Sequence, residues 1–170
     1  EIGTSGIAAT AARLEAVGDP TPEDLFALGA LRFLGALEQA LQTRWNTGVS
    51  ANLVYLPVLR LPIPENPNPQ PFDPALVTTL FTDISARMDG ARAPLLAIPA
   101  DADFGIEIAF DDIWFDINAN TTRDAGEDMA TVLGPMLMGW QREMREPGTP
   151  LPVVRFDAAD AAWLTAYTHL

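Results

Sequence analysis

The stretch TPEDLFALGALRFLGALEQALQTRWN, residues 21–46, decides the fold class of this chain. Thr21 is suited to cap a helix, Pro22 fits the first helical position, and the two acidic residues that follow favour the positive end of a helix. Large apolar residues then recur at spacings of three and four, the period of one helix face: Leu28, Leu31, Leu34, Leu37, Leu41 and Trp45. The stretch predicts one long amphipathic helix that runs to about Asn46 and ends at Gly48.

Shorter signals predict two more helices beside it. Residues 5–17 are rich in alanine and are stopped by Gly18-Asp19-Pro20. Asp73-Pro74 repeats the order of a cap followed by proline, and the helix that it starts should close at Gly90. The apolar face of that helix is expected to consist of Val77, Leu80, Phe81, Ile84 and Met88.

The C-terminal third predicts further helices. Residues 125–145 have a helical pattern that Gly134-Pro135 should kink or divide. Asp157 is placed to cap a last helix, with Asp160 at its third position. The tryptophans lie on apolar stripes and are expected in the core: Trp45, Trp114, Trp140 and Trp163.

Two short segments predict strands. Apolar and other residues alternate over residues 104–110, and residues 153–156, VVRF, are expected to form a second short strand. A chain of 170 residues is the usual size of one domain. We therefore expect a single domain over residues 1–170 with a mainly α fold: an irregular bundle of four to five helices with a small β element.

Residues 49–72 interrupt the helical pattern. Seven of the fifteen prolines fall between Pro57 and Pro74, and proline fixes φ and lacks a backbone donor. We expect an ordered loop at about residues 57–74, in a segment that leucines and a tyrosine pack along the surface: Leu53, Tyr55, Leu56 and Leu59. A flexible linker between two domains is the alternative.

Composition excludes several classes of function. The net charge is −13, and all ten basic residues are arginine. Phosphate backbones repel such a chain, so we expect no nucleic-acid partner. The absence of cysteine removes disulfides and thiolate metal sites. No stretch approaches the roughly 20 apolar residues of a membrane-spanning helix. Divalent cations or a basic protein surface are the partners that the charge favours.

Residues 116–128, DINANTTRDAGED, carry a pattern with recognisable chemistry. If Asp116 is position one, aspartate or asparagine follows at positions three, five and nine, and glutamate at position twelve. Alternate side chains of a tight loop point toward one centre, and calcium prefers oxygen ligands. The predicted Ca²⁺ ligands are the side chains of Asp116, Asn118, Asn120, Asp124 and Glu127 and the carbonyl group of Thr122.

This pattern resembles the EF-hand loop, and also the Asp-x-Asn-x-Asn-Gly-x-x-Asp-x-Gly-Glu loops of extracellular bacterial modules, which follow a strand. The resemblance covers 12 of 170 residues. It implies one Ca²⁺ ion in a structural role, held in part by Glu127 from the first turn of the next helix. Thr121 stands at position six, where a glycine with positive φ is usual, and Arg123 replaces the apolar residue of paired EF-hands. The second departure is typical of a single, unpaired loop.

The same region allows interpretations without this metal site. A polar turn before a helix would use Asp124 as the helix cap and Glu127 to close a capping box. Acidic pairs nearby could act in catalysis, extend the calcium site or form a second one: Asp101, Asp103, Asp111 and Asp112.

Three functions remain open at this stage. The first is an extracytoplasmic bacterial calcium-binding protein with a structural or binding role, not an enzyme. The arginine-only, alanine-rich composition is typical of a GC-rich bacterial gene, and Glu1 in the first position fits removal of a signal peptide or an artificial end. A periplasmic or secreted location is therefore expected. The second is an accessory subunit that docks on a larger assembly through residues 49–72, and the third is a hydrolase with paired carboxylates.

Overall fold

The computed structural model of the protein describes residues 1–49, 59–137 and 149–169. These residues form six helices and one two-stranded antiparallel sheet, which confirms the predicted mainly α fold with a small β element. Among them, no helix is both long enough and apolar enough to cross a bilayer. The elements are α1 (Ile2–Glu15), α2 (Pro22–Asn46), α3 (Ala75–Leu96), β1 (Ile106–Ala109), a 3₁₀ helix (Phe110–Asp112), α4 (Met129–Val132), α5 (Gly134–Leu137), β2 (Val153–Phe156) and α6 (Ala158–Tyr167).

Helix α2 forms as its sequence predicts. The Thr21 hydroxyl accepts a hydrogen bond from the Asp24 amide at 3.2 Å, and the Asp24 carboxylate accepts one from the Thr21 amide at 3.0 Å. This is a complete capping box. The helix ends at Asn46, and Gly48 follows with a φ of 65°. The predicted apolar stripe is buried at Leu28, Leu31 and Leu41 and half-buried at Leu34, Leu37 and Trp45.

Helix α1 starts earlier than predicted and bends at Gly6. That residue has a φ of 76° and a ψ of 178°, a conformation that glycine adopts without strain. A Cβ atom at Gly6 would lie 3.1 Å from the ring of Trp114. The Trp114 indole also donates a hydrogen bond to the Ile2 carbonyl at 3.1 Å. A residue 112 positions away therefore holds the first turn of α1.

Helix α3 continues to Leu96, so the predicted end at Gly90 is wrong. Ala91 and Leu95 are buried beyond Gly90, and Leu95 packs closely over Gly29 of α2. A glycine inside a helix costs only about 1 kcal/mol relative to alanine. Because burial against α2 exceeds that amount, tertiary packing carries the helix past its local stop signal.

A proline inside α3 is accommodated by an arginine of α2. Pro94 has no N–H group, so the carbonyl of Gly90, four residues earlier, loses its helical donor. Arg32 replaces that donor with a hydrogen bond of 2.9 Å to the Gly90 carbonyl. The same guanidinium pairs with Glu15 of α1 at 2.9 Å. One side chain thus joins α1, α2 and α3.

The predicted helix over residues 125–145 begins later than expected. Helix α4 starts at Met129, and its cap is Asp128, whose carboxylate accepts a hydrogen bond from the Thr131 amide at 2.9 Å. The chain divides into α4 and α5 beside Gly134-Pro135, as predicted. The rest of the predicted helix, at 138–145, lies outside the described residues.

Helix α6 has the predicted cap and an unpredicted exposed face. Asp157 and Asp160 form the capping box. Trp163 is 64% exposed. The only ring pair that it forms among the described residues is with Tyr167 on the same helix, at a ring-centroid distance of 4.2 Å. The prediction of a core position is therefore wrong for Trp163, because α6 turns Ala161 and Leu164 toward the protein instead. Trp114 is buried and Trp45 half-buried, as predicted, while Trp140 lies outside the described residues.

The two predicted strands pair with each other. Ile106 lies opposite Phe156 and Ala109 opposite Val153 in an antiparallel register.

The core of the protein contains two clusters of buried apolar residues. The smaller contains Phe26, Leu95, Phe104 and Ala161, and the larger includes Ile7, Leu28, Leu31, Leu41, Ile113, Phe115, Ile117 and Val132.

Only part of the proline-rich segment can be described. The predicted packing residues Leu53, Tyr55 and Leu56 lie outside the described residues. Arg44, a buried residue of α2, donates hydrogen bonds to the carbonyl groups of Val49 at 3.3 Å and Leu61 at 2.9 Å. Leu61 is itself buried in the larger cluster. The end of α2 therefore holds both sides of residues 50–58.

Candidate metal centre

The loop at residues 116–126 is closed by a short backbone ladder. The Phe115 amide donates to the Glu127 carbonyl at 2.8 Å, and the Met129 amide donates to the Ile113 carbonyl at 3.1 Å. Trp114 and Asp128 form an antiparallel bridge between these bonds. The stem is apolar, since Ile113, Trp114, Phe115 and Met129 are all buried. Glu127 thus lies in this stem. The resemblance to EF-hands implied a position in the first turn of the next helix, but that helix begins only at Met129.

Two residues of the loop other than glycine have left-handed backbone conformations. Ala119 has a φ of 57° and Thr121 a φ of 62°. The chain therefore turns at position six as the sequence pattern requires, although a threonine occupies that position. A β-branched residue in this region costs on the order of 1–2 kcal/mol.

Asp116 organises the turn through its carboxylate. One oxygen accepts a hydrogen bond from the Asn120 amide at 2.9 Å, and the other accepts one from the Thr121 amide at 3.0 Å. The Asn118 side-chain oxygen also accepts from the Asn120 amide, at 3.0 Å. These bonds draw the first three predicted side-chain ligands around one turn of backbone.

Asp124 closes the opposite side of the loop. Its Oδ2 atom accepts hydrogen bonds of 2.8 Å from the side-chain amides of both Asn118 and Asn120. These two donors lower the pKa of the exposed Asp124 carboxyl, so it stays ionised. The Thr122 amide donates to the Asn120 side-chain oxygen at 2.7 Å.

Glu127 lies at the bottom of the loop and is fully buried. Its Oε1 accepts from the amides of Ile117 at 2.9 Å and Asn118 at 3.4 Å, and its Oε2 accepts from the Asp124 amide at 2.8 Å. Burial raises the pKa of Glu127, and the three backbone donors oppose that rise. Hydrogen bonds among their own groups connect all six predicted ligand residues.

Helix α2 contributes two residues that the sequence pattern did not single out. The Asp116 amide donates to Glu38 at 2.8 Å, and Gln42 donates to the Asp116 carbonyl at 2.7 Å. Burial, followed by the charges of Asp116 and Glu127, raises the pKa of Glu38 to about 7. A signal for Glu38 does exist, because it lies four residues after Leu34 and three before Leu41, on the apolar stripe of α2.

The predicted ligands have the chemical type that a hard cation such as Ca²⁺ prefers, but they are not arranged around one point. All six predicted ligands are oxygen donors, the type that Ca²⁺ prefers. In the described part of the chain, however, no group of three or more His, Cys, Asp or Glu side chains is arranged to hold a metal ion. The loop carboxylates are directed at backbone and amide N–H groups, so binding would require them to turn toward a common point.

The interpretation of the loop as a helix start needs correction. The Glu127 carboxylate does accept from the Asp124 amide, as in a capping box. The Glu127 amide, however, donates to the Asp124 carbonyl at 3.3 Å, and the helix begins two residues later with Asp128 as its cap. Asp124 therefore does not cap α4.

The acidic pairs near the loop are all exposed: Asp101, Asp103, Asp111 and Asp112. Asp111 accepts a hydrogen bond from the Leu151 amide at 2.8 Å, a structural contact. Two grooves of about 500 and 430 Å³ are present in the described part of the chain, and other residues line both. No feature of the described residues favours catalysis by these carboxylates.

Comparison of the chain with protein-family models, with curated proteins and with solved structures finds no match. The geometry of the loop and its surroundings is therefore the basis for a functional assignment.

Proposed function

We propose that residues 116–127 bind one Ca²⁺ ion, and that the ion stabilises the junction between the loop stem and α4 in a periplasmic or secreted bacterial protein. The role of the ion is structural, or it shapes a binding surface, and it is not catalytic. The proposed ligands are Asp116, Asn118, Asn120, Thr122, Asp124 and Glu127.

The observation that carries this proposal is a fully buried carboxylate that has no basic partner among the described residues. Glu127 is 0% exposed, and its burial disfavours the ionised form. Buried charges in proteins are as a rule paired or bound to a metal. The ion pairs in the described part of the chain all lie elsewhere, whereas Glu38 and Asp124 add negative charge close to Glu127. A divalent cation supplies the missing positive charge.

Calcium binding requires a limited rearrangement of the loop. Asn118 and Asn120 now present their N–H₂ groups to Asp124. A half-turn of each amide presents an oxygen to the same point instead. This rearrangement, together with the backbone strain at Thr121, favours the weak range of calcium affinity, a Kd of about 10⁻⁴–10⁻³ M, which is typical of extracellular modules. Such a site fills only where calcium is abundant, which supports the extracytoplasmic location.

A second candidate function is docking on a larger assembly. Its support is a row of apolar residues at the start of α3: Phe72, Val77 and Phe81 are 52%, 47% and 52% exposed. Leu61 and Ile63 pack against the core, so the end of the 49–72 segment and α3 would form the contact. A photo-crosslinking residue at position 81, compared with one at the exposed Thr78, tests this in the native host; equal crosslinking at both positions would remove the idea.

Thermal unfolding with and without calcium tests the main proposal. A ligand that binds only the folded state raises the melting temperature by mass action, and about 2 mM Ca²⁺ should raise it by roughly 2–6 °C over excess EDTA. Glu127→Gln should abolish this increase, because the neutral amide cannot supply a bidentate carboxylate. Glu107→Gln, at an exposed residue of β1, is the matched control and should retain it. The proposal fails if the wild type melts at the same temperature in calcium and in EDTA.

A further inference from the structure

The backbone of Asp116, the first residue of the loop, is held on both sides by α2. Its amide donates to Oε2 of Glu38 at 2.8 Å, and its carbonyl accepts from Nε2 of Gln42 at 2.7 Å. Glu38 and Gln42 are four residues apart, so they project from the same face of the helix on consecutive turns. Two side chains of one rigid element therefore hold both polar groups of the Asp116 backbone.

We propose that Glu38 and Gln42 are positioning residues for the calcium loop, and that through them the calcium affinity of the loop depends on α2. This inference rests on the proposed function. It adds that the loop is not a self-contained ion-binding segment, because its first ligand is aimed from outside it.

The connection from α2 to the ligands follows the hydrogen bonds. Once the Asp116 backbone is fixed, its carboxylate is directed at the amides of Asn120 and Thr121, at 2.9 and 3.0 Å. Those bonds hold the left-handed turn at Thr121. Losing the contact from Gln42 would free the start of the loop and enlarge the set of conformations that must be ordered when the ion binds.

Helix α2 is rigid enough for this role. Ala40 and Leu41, on the turn between the two positioning residues, are 0% exposed, and Glu38 itself is 7% exposed. Both positioning residues also line the groove of about 500 Å³ between α1, α2 and α3. A site is more precise when its ligands are supported by packed secondary structure than when they depend on a loop alone.

Gln42→Ala and Gln39→Ala form a matched pair for testing the inference. Gln39 lies on the same helix and lines the same groove, but its side chain accepts from Arg87 at 3.1 Å and not from the loop. In the full chain, Gln42→Ala should weaken the Ca²⁺ affinity measured by titration with CaCl₂ by roughly three- to tenfold, the usual effect of one hydrogen bond. Gln39→Ala should leave the affinity unchanged. Gln42→Met, which keeps the length of the side chain without the donor, should behave like Gln42→Ala.

Amide hydrogen exchange in EDTA provides a readout that a general loss of stability would not reproduce. Gln42→Ala should accelerate exchange at Asn120 and Thr121 selectively, while amides in the middle of α2 keep their protection. If the wild type binds calcium and Gln42→Ala matches Gln39→Ala in affinity and in loop exchange, the inference is wrong and the proposed function stands. If the wild type binds no calcium, the proposed function fails and this inference fails with it.

Discussion

Helix α2 and the loop at residues 116–126 meet at Asp116, yet different kinds of interaction stabilise them. The helix is held by a capping box at its start and by leucines that are buried along one face. The loop is held by side-chain oxygens that accept from backbone N–H groups and by an apolar stem below them. Most buried side chains of the helix are apolar, and Glu38 and Arg44 are the charged exceptions. The buried charge of the loop, Glu127, forms no ion pair within the described residues.

This difference distinguishes a part of the molecule whose stability depends on apolar burial from a part whose stability we propose to depend on calcium and on protonation. Glu38 is the point where the two meet, since it belongs to α2 and bonds to Asp116. The loss of stability caused by substitutions on the apolar face of α2 should therefore not depend on calcium or pH. The effect of substitutions at Glu38 or in the loop should depend on both. Three measurements test this distinction between the helix and the loop.

Leu41→Ala should have the largest effect. Leu41 is 0% exposed in the larger core cluster, and truncating a buried leucine destabilises a protein by about 2–5 kcal/mol. Urea unfolding should give the same loss of stability in calcium and in EDTA, because none of the proposed calcium ligands lies on the apolar face of α2. Leu96→Ala is the control, since Leu96 is 67% exposed and its truncation should change stability by less than about 0.5 kcal/mol. A loss that appears only in EDTA would contradict the proposed separation.

A dependence of stability on pH should follow from Glu38. Its pKa is raised to about 7 in the folded protein, first by burial, from 4.5, so the folded state binds a proton more tightly than the unfolded state. The stabilisation is complete below about pH 4.5 and is lost as the pH rises through about 7, with a size on the order of 3 kcal/mol. The charged groups around Glu38 are Asp116 and Glu127 in the loop and Glu15, Arg32 and Arg87 along the groove.

Glu38→Gln isolates that contribution. Urea unfolding in EDTA at pH 5 and pH 8 should show that the stability of the wild type falls relative to the variant as the pH rises. Because the other titrating groups are common to both proteins, their contributions cancel in the difference. Equal pH dependence of wild type and variant would mean that Glu38 is charged in both states and that the junction of helix and loop is more hydrated than its burial indicates.

Thr121→Gly should have the smallest effect and the opposite sign. Thr121 has a φ of 62°, and glycine adopts this conformation without the steric cost, so the variant should gain about 1 kcal/mol in EDTA. Thr122→Gly is the matched control, because Thr122 is not among the residues with positive φ and should gain nothing. A loss of stability at Thr121→Gly would show that the Thr121 hydroxyl, which donates to the Asn120 carbonyl at 2.6 Å, outweighs the strain.

The predictions from sequence succeeded where one segment contains both the signal and its partner. The start of α2 is an exchange of hydrogen bonds between Thr21 and Asp24, three residues apart. The cap of α6 is the same exchange between Asp157 and Asp160. The oxygen-bearing side chains of the loop also lie within twelve residues, and hydrogen bonds link all six predicted ligand residues. The binding of calcium itself stays a prediction.

The predictions failed where a distant residue decides. Gly90 is a local stop signal for a helix, but α3 continues past it because Ala91 and Leu95 are buried against α2. In addition, Arg32 donates a hydrogen bond to the carbonyl group that Pro94 leaves without a helical donor. Trp163 has the spacing of a core residue, yet the short α6 turns another face inward. Glu127 lies in a backbone ladder because Ile113 and Phe115 pair with the residues after the loop.

The mainly α fold, the position of α2 and the composition of the candidate calcium loop follow from the amino-acid sequence, because capping, helical period and ligand spacing are properties of neighbouring residues. The start of α1, the end of α3 and the support of Asp116 depend on long-range contacts, because Trp114, Arg32, Glu38 and Gln42 meet partners 58 to 112 positions away in the chain. Contacts of that separation exist only after the chain has folded, and no local period or motif encodes them.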